Sequence, residues 1–313
     1  MPLADPTPTR ICAIINPRSG GWKRLPAALQ REDRAVVVAR WLSPEAPESV
    51  RIMVMGGAKE GATLTQVALS EGYETIVAVG GDGTVNDIIQ ELGDAAETAR
   101  LGLIPMGTAN VLARVLRLPI RNPAAAAAIV RAGQERRIDL GRCGDQWFAL
   151  VVGVGFDGAV TLAVDPNWKR RFGRLAYLLA SLPIVFRYPV SQITVAPDDE
   201  EPVDYKAYLV LIANGGRYAG NYRLADNVLL DDGQFDLFVC HRQGPLIYCL
   251  ARHALALLGS RLDTASGVTH LRARHVCVTS DRILPVQADG DPIGVTPTVI
   301  EVAPARLRIL VRE

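Results

Sequence analysis

Over the first 140 or so positions, apolar residues gather in short unbroken runs that end at turns. Ile11-Cys12-Ala13-Ile14-Ile15, Thr75-Ile76-Val77-Ala78-Val79 and Leu101-Gly102-Leu103-Ile104 are such runs, and Arg34 to Leu42, built on Ala-Val-Val-Val-Ala, reads as another strand. Apolar residues at successive rather than alternate positions suit a parallel strand covered on both faces. Between the runs the period changes. Lys59 to Glu71 places Ala62, Leu64, Val67, Ala68 and Leu69 on one helical face. Val85 to Leu92 and Val111 to Leu116 predict two more helices. Asn122-Pro123, an alanine run and Gly133 supply the cap, first turn and stop of another. Strand–turn–helix units of this kind build an open, mostly parallel α/β sheet, with the ligand beyond the carboxyl ends of the strands.

The texture changes near Ile138-Asp139-Leu140-Gly141. Beyond it, short β-rich runs alternate with turns: Trp147 to Val152, Gln192 to Ala196, Ala207 to Ala213, Phe235 to Cys240, His275 to Thr279, Leu284 to Ala288, Thr298 to Val302 and Leu307 to Val311. Helical stretches at Gly173 to Phe186 and Pro245 to Leu262 interrupt them. The expectation is an α/β domain over 1–138 and a mainly antiparallel β-sandwich domain over 139–313, with a return of the C-terminal tail to the first domain left open.

Composition narrows the functional classes. A net charge of +1 gives no argument for a nucleic-acid partner. Five scattered cysteines with no CxxC pair read as small buried thiols, which fits a reducing cytoplasm. Met1 to Thr9 has neither the basic nor the apolar region of a signal peptide and reads as a frayed tail. No apolar run reaches the ~18 residues of a membrane span, so no transmembrane segment is expected.

The chemistry centres on Gly80-Gly81-Asp82-Gly83-Thr84-Val85-Asn86-Asp87, between a buried strand and a helix. As a bare corner it needs fewer special residues. As a phosphate site it offers glycine backbone to a bulky ligand and the N–H groups of a helix start to an anion. On that reading Gly80, Gly81, Gly83 and Thr84 hold phosphate oxygens and Asn86 orients its neighbours. Asp82 then requires a divalent cation, or water bound to one, between it and the phosphate. Asn16 to Gly21 and Pro105 to Asn110 are two more glycine-bearing turns after strands, each with a plain turn or cap as its alternative. Val228 to Asp236 is either a turn between strands or a hard-cation site. Ala288-Asp289-Gly290-Asp291-Pro292 is an Asp-rich hairpin or a place for a general base. Trp168 to Arg174, ahead of the apolar stretch Leu175 to Phe186, is either a solvated basic face or a contact for anionic headgroups beside an acyl-chain site.

Gly80-Gly81-Asp82-Gly83-Thr84 closely resembles the nucleotide motif of the diacylglycerol kinase, sphingosine kinase and bacterial lipid kinase superfamily. Asn16-Pro17-Arg18-Ser19-Gly20 resembles its first motif and Pro105-Met106-Gly107-Thr108-Ala109-Asn110 its third. The resemblance runs from Ile11 to Val311 and points to the branch of soluble bacterial lipid kinases, with a phosphofructokinase-like first domain. It implies a lipid kinase using ATP and Mg2+, with a lipid hydroxyl, such as that of diacylglycerol, as acceptor. It places Asn16, Pro17, Ser19, Gly20 and Thr108 on the nucleotide, Asp139 in a water-and-metal network with Asp82, and a structural magnesium on the Leu229 carbonyl, the Asp232 side chain and the Gln234 carbonyl. Asp291 takes the position of the general base, where the family has Glu. Met55-Gly56-Gly57 stands where a nucleotide-contacting Thr is usual. The implied location is cytoplasmic and peripheral at the inner membrane surface, with a homodimer left open. The alternatives are a kinase of a soluble substrate, like NAD kinases, and a weakly active lipid- or nucleotide-binding regulator.

Overall fold

The computed structural model describes residues 10–95, 97–165, 168, 174–198, 200–218 and 222–312. The chain divides into two compact units, Met1–Ile138 with Arg306–Glu313, and Asp139–Ala305.

In the first unit, β1 (Ile11–Ile15), β2 (Arg51–Val54), β3 (Thr75–Gly80) and β4 (Arg100–Pro105) form a parallel sheet in the order β2-β1-β3-β4. Ile309, near the end of the chain, pairs in parallel with Leu101 of β4. Around the sheet run α1 (Ala27–Arg31), α2 (Arg34–Leu42), α3 (Glu60–Ser70), α4 (Asp82–Asp94), α5 (Val111–Val115) and α6 (Pro123–Ala132). β3 is buried along its whole length, which is why it reads as an unbroken apolar run. The chain passes from β1 outward to β2, then returns to lay β3 on the other side of β1. That reversal is a topological switch point, and it sets the loops leaving β1 and β3 side by side.

Arg34–Leu42 is a helix, not the strand its valines suggest. The Asp33 side chain caps it by accepting from the Ala35 N–H at 2.7 Å, and Val38, Ala39 and Leu42 enter the same core as Trp22, Ala127 and Val130. A cap and a buried helical face outweigh a modest β preference. Asn122 and Gly133 do bound α6: the Asn122 side chain accepts from Ala125 N–H, and Gly133 takes φ +71°.

The second unit is an antiparallel β-sandwich domain. It contains the later part of β5 (Glu135–Cys143), then β6 (Gln146–Phe148), β7 (Val151–Gly155), β8 (Ser191–Pro197), β9 (Val203–Ala213), β10 (Arg217–Tyr218), β11 (Tyr222–Arg223), β12 (Phe235–His241), β13 (Val268–Ala273), β14 (His275–Ser280), β15 (Pro285–Ala288), β16 (Asp291–Val295) and the earlier part of β17 (Thr298–Leu310). Its helices are α7 (Phe156–Ala163), α8 (Arg174–Arg187) and α9 (Leu246–Leu258). β9 lies centrally, pairing with β7, β8 and β12, and Val152, Ile193, Val210, Ile212, Phe235 and Leu237 fill the core. The two runs expected at 298–302 and 307–311 are one strand, β17, with Ala305 at φ +51° inside it. α7 and β13 have no counterpart in the sequence reading, because glycine and charged residues break their patterns.

Candidate functional site

The three glycine-bearing turns meet in the first unit. Asn16 joins the first to the second: its side-chain amide donates to Thr84 Oγ1 at 3.0 Å, and its backbone N–H donates to the Val79 carbonyl at 3.0 Å. The Trp22 indole donates to the Asn16 carbonyl at 3.0 Å, and the Arg18 N–H to Asn16 Oδ1 at 3.0 Å, closing a tight Asx-type turn. Gly21 N–H donates to the Met106 carbonyl at 2.7 Å and so ties the first turn to the third.

The glycines divide into two kinds. A Cβ on Gly107 would lie 2.5 Å from Gly81 Cα, one on Gly21 2.6 Å from the Met106 oxygen, and one on Gly80 2.3 Å from Thr84 Oγ1. These three are glycine because protein packs against them, which corrects the expectation that Gly80 opens the main chain to a ligand. Gly83 has nothing within 4 Å, and Gly20 only Thr108 Oγ1 at 3.9 Å. Gly83, Gly20 and Thr108 are exposed, so at these places a ligand can reach the backbone.

α4 begins at Asp82, earlier than the hydrophobic pattern suggests, with Gly81 at its cap. Its first internal bond runs from Val85 N–H to the Gly81 carbonyl. Gly83 and Thr84 therefore present N–H groups that have no acceptor within the helix. Thr84 itself is buried, its hydroxyl turned to Asn16. Asn86 and Ser19 are partly buried, and the Pro17 carbonyl accepts from Arg34 at 2.6 Å.

Asp82 has a partner set of its own. Its carboxylate accepts from Asn110 N–H at 2.8 Å and Val111 N–H at 2.5 Å, capping α5 and anchoring the third turn. Burial pushes its carboxyl above the usual carboxylate range, opposed by those N–H groups of Val111 and Asn110. A carboxylate among these glycines therefore has a place without any cation, and charge repulsion alone does not demand a metal. Asn110, left-handed at φ 50°, accepts from Gly107 N–H at 2.8 Å, while Arg24 donates to the Gly107 carbonyl at 2.6 Å. Arg24 does not stand out by sequence, whereas Asn110 closes the third glycine-bearing motif. After β2, where Thr is absent, Glu60 accepts from the N–H groups of Gly56 at 2.5 Å and Gly57 at 3.1 Å, so that backbone is already engaged.

In the second unit, Asp291 opens β16 directly after a two-residue turn, Asp289 at φ 47° and Gly290 at φ 88°. Paired positive φ values are the mark of the tight hairpin turn that Asp-Gly favours. The Asp289 carboxylate accepts from the N–H groups of Ala149 at 2.8 Å, Leu150 at 3.1 Å and Val151 at 2.8 Å. Asp139, buried, accepts from Gly233 N–H and Ala305 N–H, each at 2.7 Å.

The proposed magnesium turn is differently occupied. Asp232 is ion-paired with Arg272 and accepts from Gln234 N–H at 3.2 Å. A cation held by Asp232 with the Leu229 and Gln234 carbonyls would sit against that guanidinium, so the set as it stands does not fit a resident metal. Among the described residues no group of three or more His, Cys, Asp or Glu side chains could hold one.

Of the basic stretch, residues 169–173 lie outside the described residues, as do residues 1–9; Trp168 is exposed. α8 follows with Leu175, Leu178, Leu182 and Phe186 exposed, the last at 79%, and α9 exposes Tyr248, Leu255 and Leu258. No described helix is long and apolar enough to cross a membrane.

Residues 10–143 match the diacylglycerol kinase catalytic domain, and residues 150–311 match the YegS C-terminal NAD kinase beta sandwich-like domain. The "Probable lipid kinase YegS-like" protein of Pseudomonas fluorescens is 30% identical over 286 residues, 90% of this chain and 91% of its own length. The diacylglycerol kinase of Mycobacterium tuberculosis is 31% identical over 307 residues, 96% of this chain and 94% of its own. A crystal structure of a diacylglycerol kinase from Bacillus anthracis has the same fold, with a TM-score of 0.70, 20% identity and 97% of each chain covered.

Proposed function

The chain belongs to the family of the diacylglycerol kinase catalytic domain and is a diacylglycerol-kinase-like phosphotransferase, and we propose that it moves the γ-phosphate of MgATP to a hydroxyl of a lipid such as diacylglycerol. One observation carries the ATP half of this reading. Three glycine-bearing turns are tied together at a switch point, with Gly20, Gly83 and Thr108 left open beside the start of α4. The N–H groups of Gly83 and Thr84 bind phosphate oxygens there, aided by the helix dipole. Asn16, Pro17 and Ser19 shape the first turn, Gly80 leaves room for the Thr84 side chain, Gly81 lets the second turn close on the third, and Asn86 continues the helix. Asp82 orients the Thr108 turn through its bonds to Asn110 and Val111. Magnesium arrives with the nucleotide and neutralises charge on its phosphates.

Asp291 accepts the proton of the lipid hydroxyl, and the oxygen then attacks the γ-phosphorus in line. The exposed apolar faces of α8 and α9 support an acceptor met at a membrane surface, where such faces bury themselves.

The test is transfer of labelled γ-phosphate from ATP, with and without magnesium, to diacylglycerol in mixed micelles, to NAD and to sugar phosphates. Label in the lipid, dependent on magnesium, is the expected result. Label in NAD would favour the soluble-substrate reading. ATP bound with no acceptor labelled would favour a regulator.

A further inference from the structure

The turn before Asp291 is held from a second side by groups that the proposed reaction does not use. Asp157, in the first turn of α7, is half-buried and carries two hydrogen bonds. The Tyr218 hydroxyl donates to its Oδ1 at 2.5 Å, and the Gln287 amide to its Oδ2 at 2.7 Å. The other end of the Gln287 amide accepts from Gly290 N–H at 2.7 Å. The Gly290 carbonyl in turn accepts from the Tyr177 hydroxyl at 3.3 Å.

The order of donors is forced. A carboxylate only accepts, so Gln287 must turn its NH2 towards Asp157 and its oxygen towards Gly290. Reversed, the amide would set its NH2 against the Gly290 N–H. The site is built for the carboxylate: Gly153, the residue paired with Gln287 across β7 and β15, would place a Cβ 2.2 Å from Asp157 Oδ2. Burial raises the carboxyl of Asp157 above its ordinary range, and the bonds from Tyr218 and Gln287 oppose that rise. A carboxylate withdrawn from water is retained at a cost, and the interaction it buys is the orientation of Gln287.

We infer that Asp157 is a positioning residue: acting through Gln287, it fixes the Gly290 N–H and so the turn from which Asp291 leaves. This rests on the reading of Asp291 as the base. A carboxylate one methylene shorter than Glu has less freedom to find its proton, so the backbone beneath it must be placed more exactingly.

The experiment exchanges the carboxylate and the amide between the two positions and is read two ways, by hydrogen exchange at the Gly290 amide and by steady-state kinetics. Gln287→Glu sets two carboxylates against each other. It should accelerate Gly290 exchange and lower kcat by about 10- to 100-fold with the KM for ATP unchanged, the size of effect known for small misplacements of reacting groups. Adding Asp157→Asn lets the new amide donate to the new carboxylate, and should return both readouts to within about threefold of the parent, since the original hydrogen-bond pattern is restored. Asp157→Asn alone should be mild, because its amide oxygen can still face Gln287. Unchanged Gly290 exchange in Gln287→Glu, or failure of the second substitution to restore it, overturns the inference whatever the activity. Activity retained in Asp291→Asn would instead remove the base reading, and with it the catalytic half of the inference.

Discussion

The glycine turns of the first unit and the Asp289–Gly290 turn of the second are both strand ends held rigid, but by different means. In the first unit backbone is pressed on backbone: Gly107 against Gly81, and Gly21 against the Met106 carbonyl. In the second, side chains do the holding, with Asp289 taking three N–H groups and Gln287 a fourth. Close glycine contact locks the turns together and so holds the open positions Gly20 and Gly83 in place, which suits a surface that must present N–H groups. A side-chain network costs burial of polar groups but aims one carboxylate, which suits proton transfer.

The sharpest way to break this comparison is to remove the aimed group. Asp291→Asn keeps shape and hydrogen-bonding capacity but not basicity. It should lower phosphate transfer by about 10²- to 10⁴-fold, the usual contribution of a general base, with ATP affinity measured by calorimetry left within about twofold. Full activity would mean that the second unit's turn is only a turn.

A smaller effect is expected when the backbone contact is opened. Gly107→Ala brings a methyl group to 2.5 Å from both Gly81 Cα and Asn110 Oδ1, and the backbone partner cannot swing aside. Overpacking of this sort costs about 1–3 kcal/mol. Because the strain falls on the turns that carry Gly83 and Thr108, ATP affinity should drop by about tenfold or more, roughly what 1.4 kcal/mol gives. If ATP still binds as before, the glycines serve packing alone.

The same contrast explains what could be read from the chain beforehand. Gly80 to Asp87 is contiguous, so strand, turn and following helix were visible together, although the helix starts at Asp82 and not at Val85, and the order of sheet and sandwich followed from the change of period near Asp139. Asp157, Tyr218 and Gln287 come from three distant segments and meet only once β7 and β15 are in register. No local pattern marks them. Arg34–Leu42 misled because three valines speak for a strand, while the deciding facts were a cap at Asp33 and a face that only the folded core supplies. Asp82 misled in another way: its acceptors' partners, the N–H groups of Asn110 and Val111, are far along the chain and invisible to a charge argument.

The gentlest probe of the two units is acid, because all four histidines lie in the second. Burial pushes the pKa of His253 down to about 4, with Arg252 adding to the fall. Its Nδ1 lies 2.6 Å from the Tyr208 hydroxyl in a stacked pair. His241 is lowered too, by burial and Arg252. Below the ordinary value of 6.5 the unfolded chain takes up protons that the folded second unit refuses, so stability is lost as pH falls from there, and for His253 the loss is complete near 4. In the first unit Glu135 has its pKa lowered by Arg308 and Arg100, so its loss begins only below the ordinary 4.5. Asp82 and Asp157, both raised by burial, work the other way, favouring the fold as they protonate, one in each unit. Hydrogen exchange followed separately for the two units from about pH 7 to about pH 5, the range in which histidine titrates, should therefore show the second unit loosening first. His253→Gln, which cannot take a proton but can still meet the Tyr208 hydroxyl, should flatten much of that slope. Equal loosening of both units, or a slope untouched by the substitution, would place the acid sensitivity elsewhere.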